Sequence, residues 1–151
     1  MTTFHAFNTS ASALTAQRLR MDTISSNIAN ADSTRATVNE NGEYEAYRRK
    51  MVVFQPNEKS FKNFLQKASN TSANGGSGVK VQQIIEDQTP FKLVYNPNHP
   101  AANEAGYVEP PNVDPLKEMV DLMSSTRSYE ANVTALNATK GMLLKALEIG
   151  K

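Results

Sequence analysis

The chain has 151 residues, 39% of them hydrophobic, and contains neither tryptophan nor cysteine, which suits one domain with a modest core and excludes disulfides, thiolate metal sites and a cysteine nucleophile. Sixteen basic and fifteen acidic residues leave a formal net charge of +1, and the basic ones are scattered, so the electrostatic footprint of a nucleic-acid binder is missing. No apolar run approaches the roughly 20 residues that a membrane-spanning helix needs, and the N-terminal stretch is too polar for the apolar core of a secretory signal, so neither is expected.

The first predicted element is a helix opening at Thr2 or Thr3 and running to about Asn30. Phe7, Leu14, Met21 and Ile28 recur at heptad spacing, with Phe4, Ala11, Ile24 and Ala31 at neighbouring seam positions. Residues 32 to 55 change to short extended pieces, where Asn41-Gly42 beside Tyr44, Tyr47 and Met51 to Phe54 predicts a β-hairpin. Residues 56 to 68 hold Phe61, Phe64 and Leu65 among lysines, enough for one or two helical turns, and the Ser/Asn/Gly-rich run at 69–78 predicts a flexible loop. Val79 to Ile85 and Phe91 to Tyr95 predict two more strands before Pro97 and Pro100 interrupt.

Asp114-Pro115 predicts a second long helix, because Asp caps free amides and Pro at the first helical position gives up only a donor without a partner. Gly150 suits its stop. Leu122, Tyr129, Leu136 and Leu143 repeat every seven residues, and Met119, Thr126, Val133, Lys140 and Leu147 form a companion row. The predicted fold is therefore mainly α with a small inserted β unit, its N- and C-terminal helices paired antiparallel as a coiled coil. The domain reading is residues 1–31 and 114–151 as the helical coiled-coil domain and 32–113 as a β-rich middle region.

Two uses of the stripes stay open: packing on each other within one chain, or packing on other subunits. The seam side chains fall well short of the entropy cost of ordering two such helices, which favours further subunits covering the outer faces. Thr126 and Lys140 interrupt the apolar row, and such interruptions can set register or partner choice, although a lysine can also snorkel to solvent. Asn27 and Asn30 lie three apart, where their amides can bridge to another helix, cap backbone, or serve solubility.

Residues that could carry catalysis do not converge. The two histidines, His5 and His99, are far apart and lack metal-protease spacing. Glu86 and Asp87 are adjacent in a strand and so point to opposite faces, as at a solvated strand end. Gly75, Gly76 and Gly78 lack the lysine of a phosphate-binding loop. No catalytic, cofactor or metal site is expected. Beside a structural role, a soluble helical adaptor or chaperone that binds a partner helix is the competing expectation.

The segment SSNIANADST at 25–34, centred on Asn27, Ile28, Ala29 and Asn30, resembles the N-terminal signature of the bacterial flagellar rod and hook family. Residues 111–150, including Arg127 to Asn132, resemble that family's closing helix, and 78–108 resemble the middle of its short proximal rod members. Arg35 departs from the pattern, standing where many relatives have a glycine-containing turn. The resemblance implies a structural subunit of the proximal rod, the drive shaft carrying torque from motor to hook. It would assemble through the seam residues Phe7, Leu14, Met21, Ile28, Leu122, Tyr129, Val133, Leu136, Leu143 and Leu147. The implied partners are copies of itself, FlgB, FlgF, FlgG and the adaptor FliE. The resemblance further implies export through the flagellar type III apparatus without a cleaved signal, and a place in the basal body, crossing periplasm or cell wall.

Overall fold

Residues 2–38, 42–57 and 78–149 are described by the computed structural model. The run at 69–77, most of 56–68, Asn41 and the stop at Gly150 lie outside them.

Helix α1 spans Thr2–Ala29 with no glycine or proline to interrupt it. Its hydroxyl residues bond back along the helix, Thr9 to the carbonyl of His5 at 2.9 Å and Thr15 to that of Ala11 at 3.2 Å, which keeps polar side chains compatible with helical backbone. The helix ends in a polar knuckle. The Asn30 amide donates to the Ser26 carbonyl at 2.9 Å, and its oxygen accepts from the Ser33 hydroxyl at 3.2 Å, satisfying groups that the last turn leaves unpaired.

Among the described residues three two-stranded antiparallel ribbons follow. β1 (Thr37–Val38) pairs with β2 (Tyr44–Glu45), Val38 facing Tyr44, and Gly42 before β2 takes φ +80°, a left-handed conformation that glycine adopts without a Cβ penalty. β3 (Lys50–Pro56) pairs with β4 (Val79–Glu86). Its antiparallel sense shows at the ends, where Asn57 N–H meets the Gly78 carbonyl at 2.7 Å and Asp87 N–H meets the Arg49 carbonyl at 2.8 Å. β5 (Val94–Tyr95) pairs with β6 (Tyr107–Val108), a short partner that the sequence pattern did not announce.

Helix α2 spans Pro115–Ile149. Asp114 caps it as expected, its carboxylate accepting from the amides of Leu116 at 3.0 Å and Lys117 at 3.4 Å. The fold is thus mainly helical, with two long terminal helices and a small inserted β unit.

Contacts divide the chain into two units. One comprises Met1–Leu19, Val53–Gln83 and Ser125–Lys151. There the Ser12 hydroxyl donates to the Thr9 carbonyl at 2.7 Å and accepts the amide of Val79 at 3.1 Å, tying α1 to the start of β4. Gly78 makes that approach possible, since a Cβ on it would sit 2.5 Å from the Ser12 oxygen. The other unit comprises Arg20–Val52 and Ile84–Ser124. Within it α1 and α2 run antiparallel, Arg20 meeting Asp121 at 3.8 Å and Asn27 meeting Glu118 at 2.9 Å. Ile24, Ala46, Tyr47, Val108 and Pro111 are its buried apolar side chains among the described residues.

Among the described residues, polar side chains make up nearly half of the buried set: Thr23, Asn27, Glu118, Ser125 and Thr139 join Ala16, Ile24, Ala46, Tyr47, Val108 and Pro111. Meanwhile Leu116, Leu147 and Ile149 stand 75%, 71% and 86% exposed. Among the described residues, these are large apolar side chains that stand out from the chain rather than pack within it.

Candidate functional site

The signature asparagine at the end of α1 is the hub of a buried polar cluster. Asn27 is 0% exposed, and an amide in that position must find partners for two donors and two acceptor lone pairs. It finds all four. Its nitrogen donates to the Lys50 carbonyl at 2.8 Å and to Glu118 Oε2 at 2.9 Å, while its oxygen accepts from the Lys50 amide at 2.9 Å and from the Tyr47 hydroxyl at 3.1 Å. One side chain therefore sets where the end of α1, the start of β3 and the first turn of α2 meet. The Tyr47 hydroxyl also lies 3.4 Å from that of Ser26.

Glu118 is 0% exposed as well, and its second oxygen takes the Arg49 Nε–H at 2.6 Å. The guanidinium then reaches Asp121 at 3.4 Å and Asp87 at 3.8 Å, so one cation faces three carboxylates from α2 and the end of β4. Arg49's planar fork suits this, presenting donors in several in-plane directions that a lysine ammonium would not match. Asn112 closes the cluster from the loop before α2. It accepts the Arg49 amide at 2.7 Å and donates to the carbonyls of Asp87 at 3.0 Å and Thr89 at 3.3 Å.

The Asp87 carboxyl is held below its ordinary value of 3.8 first by the Thr89 hydroxyl, then by the Thr89 amide, with smaller help from the Arg49 and Lys117 charges and against a desolvation cost. Glu86 stays exposed beside it, so the adjacent acids do face different ways, but Asp87 turns to Arg49 and Thr89 rather than to open solvent.

Chemically the cluster can hold elements in register. Its polar groups are spent on one another, and among the described residues no group of three His, Asp or Glu side chains is placed to hold a metal ion. Among the described residues no helix is long and apolar enough to cross a membrane. A buried charge pair with satisfied partners adds little net stability over apolar packing, yet breaking it is expensive, which makes it a device for register.

The seam residues lie as follows. Phe7, Leu14, Met21 and Ile28 on α1 and Leu122, Tyr129, Leu136 and Leu143 on α2 are all half-buried. Beside the α2 row runs a polar one, Glu118, Ser125, Asn132 and Thr139, also seven apart, of which Asn132 is half-buried and the other three are buried. The companion row beginning at Met119 is one residue further round. Val133 is half-buried, while Met119, Thr126, Lys140 and Leu147 face outward. Of the signature, Asn27 is in the cluster, Ile28 is half-buried, Ala29 is exposed and Asn30 caps α1.

Sequence reasoning missed Tyr47, Arg49, Asn112 and Glu118. The heptad of polar residues from Glu118 to Thr139 was the available signal, since polar side chains at seam spacing opposite a buried asparagine mark a polar layer. Arg49 gave none, lying within the basic run Arg48-Arg49-Lys50.

Comparison with known proteins gives a consistent set of relatives. Residues 7–37 match the family model described as Flagella basal body rod protein, and residues 104–149 match Flagellar basal body rod FlgEFG protein C-terminal. Over the full length of both chains the sequence is 65% identical to the flagellar basal-body rod protein FlgC of Bacillus subtilis (strain 168) and 45% identical to that of Escherichia coli O6:H1. It is 41% identical to FlgC of Borreliella burgdorferi, covering 97% of this chain and 96% of that one.

Proposed function

The chain belongs to the FlgC family of bacterial flagellar basal-body rod proteins, and from that membership we propose how it acts in the rod. It is a structural subunit of the flagellar rod, a component of the basal body. In our reading it transmits torque from motor to hook through contacts made by its terminal helices, without catalysis. Its partners there are copies of itself, FlgB, FlgF and FlgG, with FliE adjoining. It reaches the rod through the flagellar type III apparatus without a cleaved signal.

The observation that carries the mechanism is the outward apolar surface of α2, above all Leu116, Leu147 and Ile149. A single chain gains nothing from such side chains in water, whereas a neighbouring helix that covers them recovers about 1.5–3 kcal/mol for each large one. Many such small contacts, spread along helices, resist sliding and twisting together. The half-buried rows from Phe7 to Ile28 and from Leu122 to Leu143 then serve both the chain's own pairing and its neighbours.

The test uses charges placed on that surface. Leu147→Asp sits where the free chain exposes it and leaves the monomer folded, but it buries an unpaired carboxylate in an assembled contact. Cells carrying it, or the half-buried Leu136→Asp, should make the protein, lack it in purified hook-basal bodies by mass spectrometry, and fail to swim. Motile cells with Leu147→Asp in their rods would overturn the helix-contact mechanism.

A further inference from the structure

Two exposed apolar patches lie on the unit formed by Arg20–Val52 and Ile84–Ser124. The first is on the opening turns of α2, where Leu116, Met119, Val120 and Met123 recur at three and four residues. The second is on the β5–β6 ribbon, where Leu93, Val94, Tyr95 and Tyr107 are exposed; across both patches exposure runs from 42% at Tyr107 to 75% at Leu116.

The ribbon patch is ordered in advance. The Tyr95 and Tyr107 rings meet edge to face, with centroids 5.3 Å apart. Gly106 takes φ +78°, and a Cβ there would touch the Tyr95 ring at 3.0 Å. Asn103 Oδ1 accepts the amides of Ala105 at 3.1 Å and Tyr107 at 2.9 Å, and the Asn96 amide meets the Gly106 carbonyl at 2.9 Å. Such a surface loses little freedom when it docks.

The rims are complementary in charge. Asp114 and Lys117 border the α2 patch, while Lys92, Glu104 and Glu109 border the ribbon patch, and none of these closes an ion pair within the chain among the described residues. Lys117 can therefore meet a glutamate, and Lys92 can meet Asp114, when the two patches face each other. Complementary rims of this kind favour one partner and one register over others.

We propose that the α2 patch of one copy docks on the β5–β6 patch of the next copy, a head-to-tail contact. Each docked copy still carries one free patch, so the contact propagates along a shaft. A symmetric pairing of like patches would close at a dimer. The inference rests on the reading of the chain as a rod subunit whose copies adjoin.

The native chain has no cysteine, so introduced thiols report without interference. Purified Val120→Cys and Leu93→Cys chains would be treated with a short bis-maleimide, separately and mixed. The expected result is a cross-linked dimer in the mixture, little in either variant alone, and a ladder of oligomers from a chain carrying both changes. Adding Leu116→Asp, at a position too exposed to disturb the monomer, should abolish the mixed product. The proposal is overturned if Val120→Cys or Leu93→Cys cross-links equally well by itself, if the mixture gives no more product than the single variants, or if Leu116→Asp leaves the product unchanged. Rod membership is read separately from hook-basal bodies, so failure here leaves that reading intact.

Discussion

Replacing Asn27 by alanine removes four hydrogen bonds at once, and their partners fare differently. Glu118 keeps Arg49 at 2.6 Å and Tyr47 keeps Ser26 at 3.4 Å. The amide and carbonyl of Lys50 lose the partners that Asn27 supplied. A buried polar group left unsatisfied costs about 1–3 kcal/mol, and two partly buried ones give about 2–4 kcal/mol. Against a typical total of about 5–15 kcal/mol, that is a large share of stability. With a urea slope of about 1–3 kcal/mol per molar, the unfolding midpoint should fall by about 0.7–4 M. Tyrosine near-UV circular dichroism is a suitable probe, because the chain has five tyrosines and no tryptophan, and Tyr47 sits in the cluster. Asn30→Ala is the internal control. It removes the same side chain three residues on, where the bond to Ser26 is exposed, and should cost no more than about 1 kcal/mol. If the Asn27→Ala midpoint is no lower than that of Asn30→Ala, the argument that the amide sets the register of these elements is refuted.

Glu118→Ala should destabilise by about 3–5 kcal/mol by leaving Arg49 without its nearest carboxylate, and adding Arg49→Met should recover part of that loss in a double-mutant cycle. Gly106→Ala should cost about 1–2 kcal/mol from its left-handed backbone, with local amide exchange rising in the β5–β6 ribbon and little change in β1–β2. Because the native Asp87 carboxyl lies below its unfolded value of 3.8, its contribution is fully present above that pH and drains away as pH falls through the native value. Thr89→Ala, which removes the largest cause, should flatten the acid limb of stability against pH, and an unchanged limb would show that another group governs it. In dilute solution the isolated subunit should exchange its terminal helix amides faster than those around Asn27, since partners are needed to cover the outer faces; uniform protection would contradict the assembly model.

Much of the fold was legible because its signals are local. Heptad spacing from Phe7 to Ile28 and from Leu122 to Leu143, together with the Asp114-Pro115 opening, announces two long helices from periodicity and capping alone. The Asn41-Gly42 step marked a hairpin because few residues tolerate the left-handed backbone that Gly42 adopts. The β6 strand escaped, since two residues paired with Val94 and Tyr95 across a loop carry no period of their own. The family could be recognised from the blocks around Asn27 and Tyr129, which are contiguous in the chain.

What the sequence determined by itself, then, is the set of elements whose causes lie within a few residues: the helices, the Asp114 cap and the left-handed backbone at Gly42. Which faces those helices cover was decided by tertiary structure. Apolar spacing pointed to Met119, Thr126, Val133, Lys140 and Leu147 as the companion row; of these the chain half-buries Val133 and leaves the other four exposed, while it buries Glu118, Ser125 and Thr139. In the unit formed by Arg20–Val52 and Ile84–Ser124 the reason is Asn27, whose buried amide needs a polar partner across the helix pair and finds it in Glu118, drawing in Arg49 to balance the charge. That bond joins residues 91 apart in sequence, a separation at which only the folded backbone can bring them together.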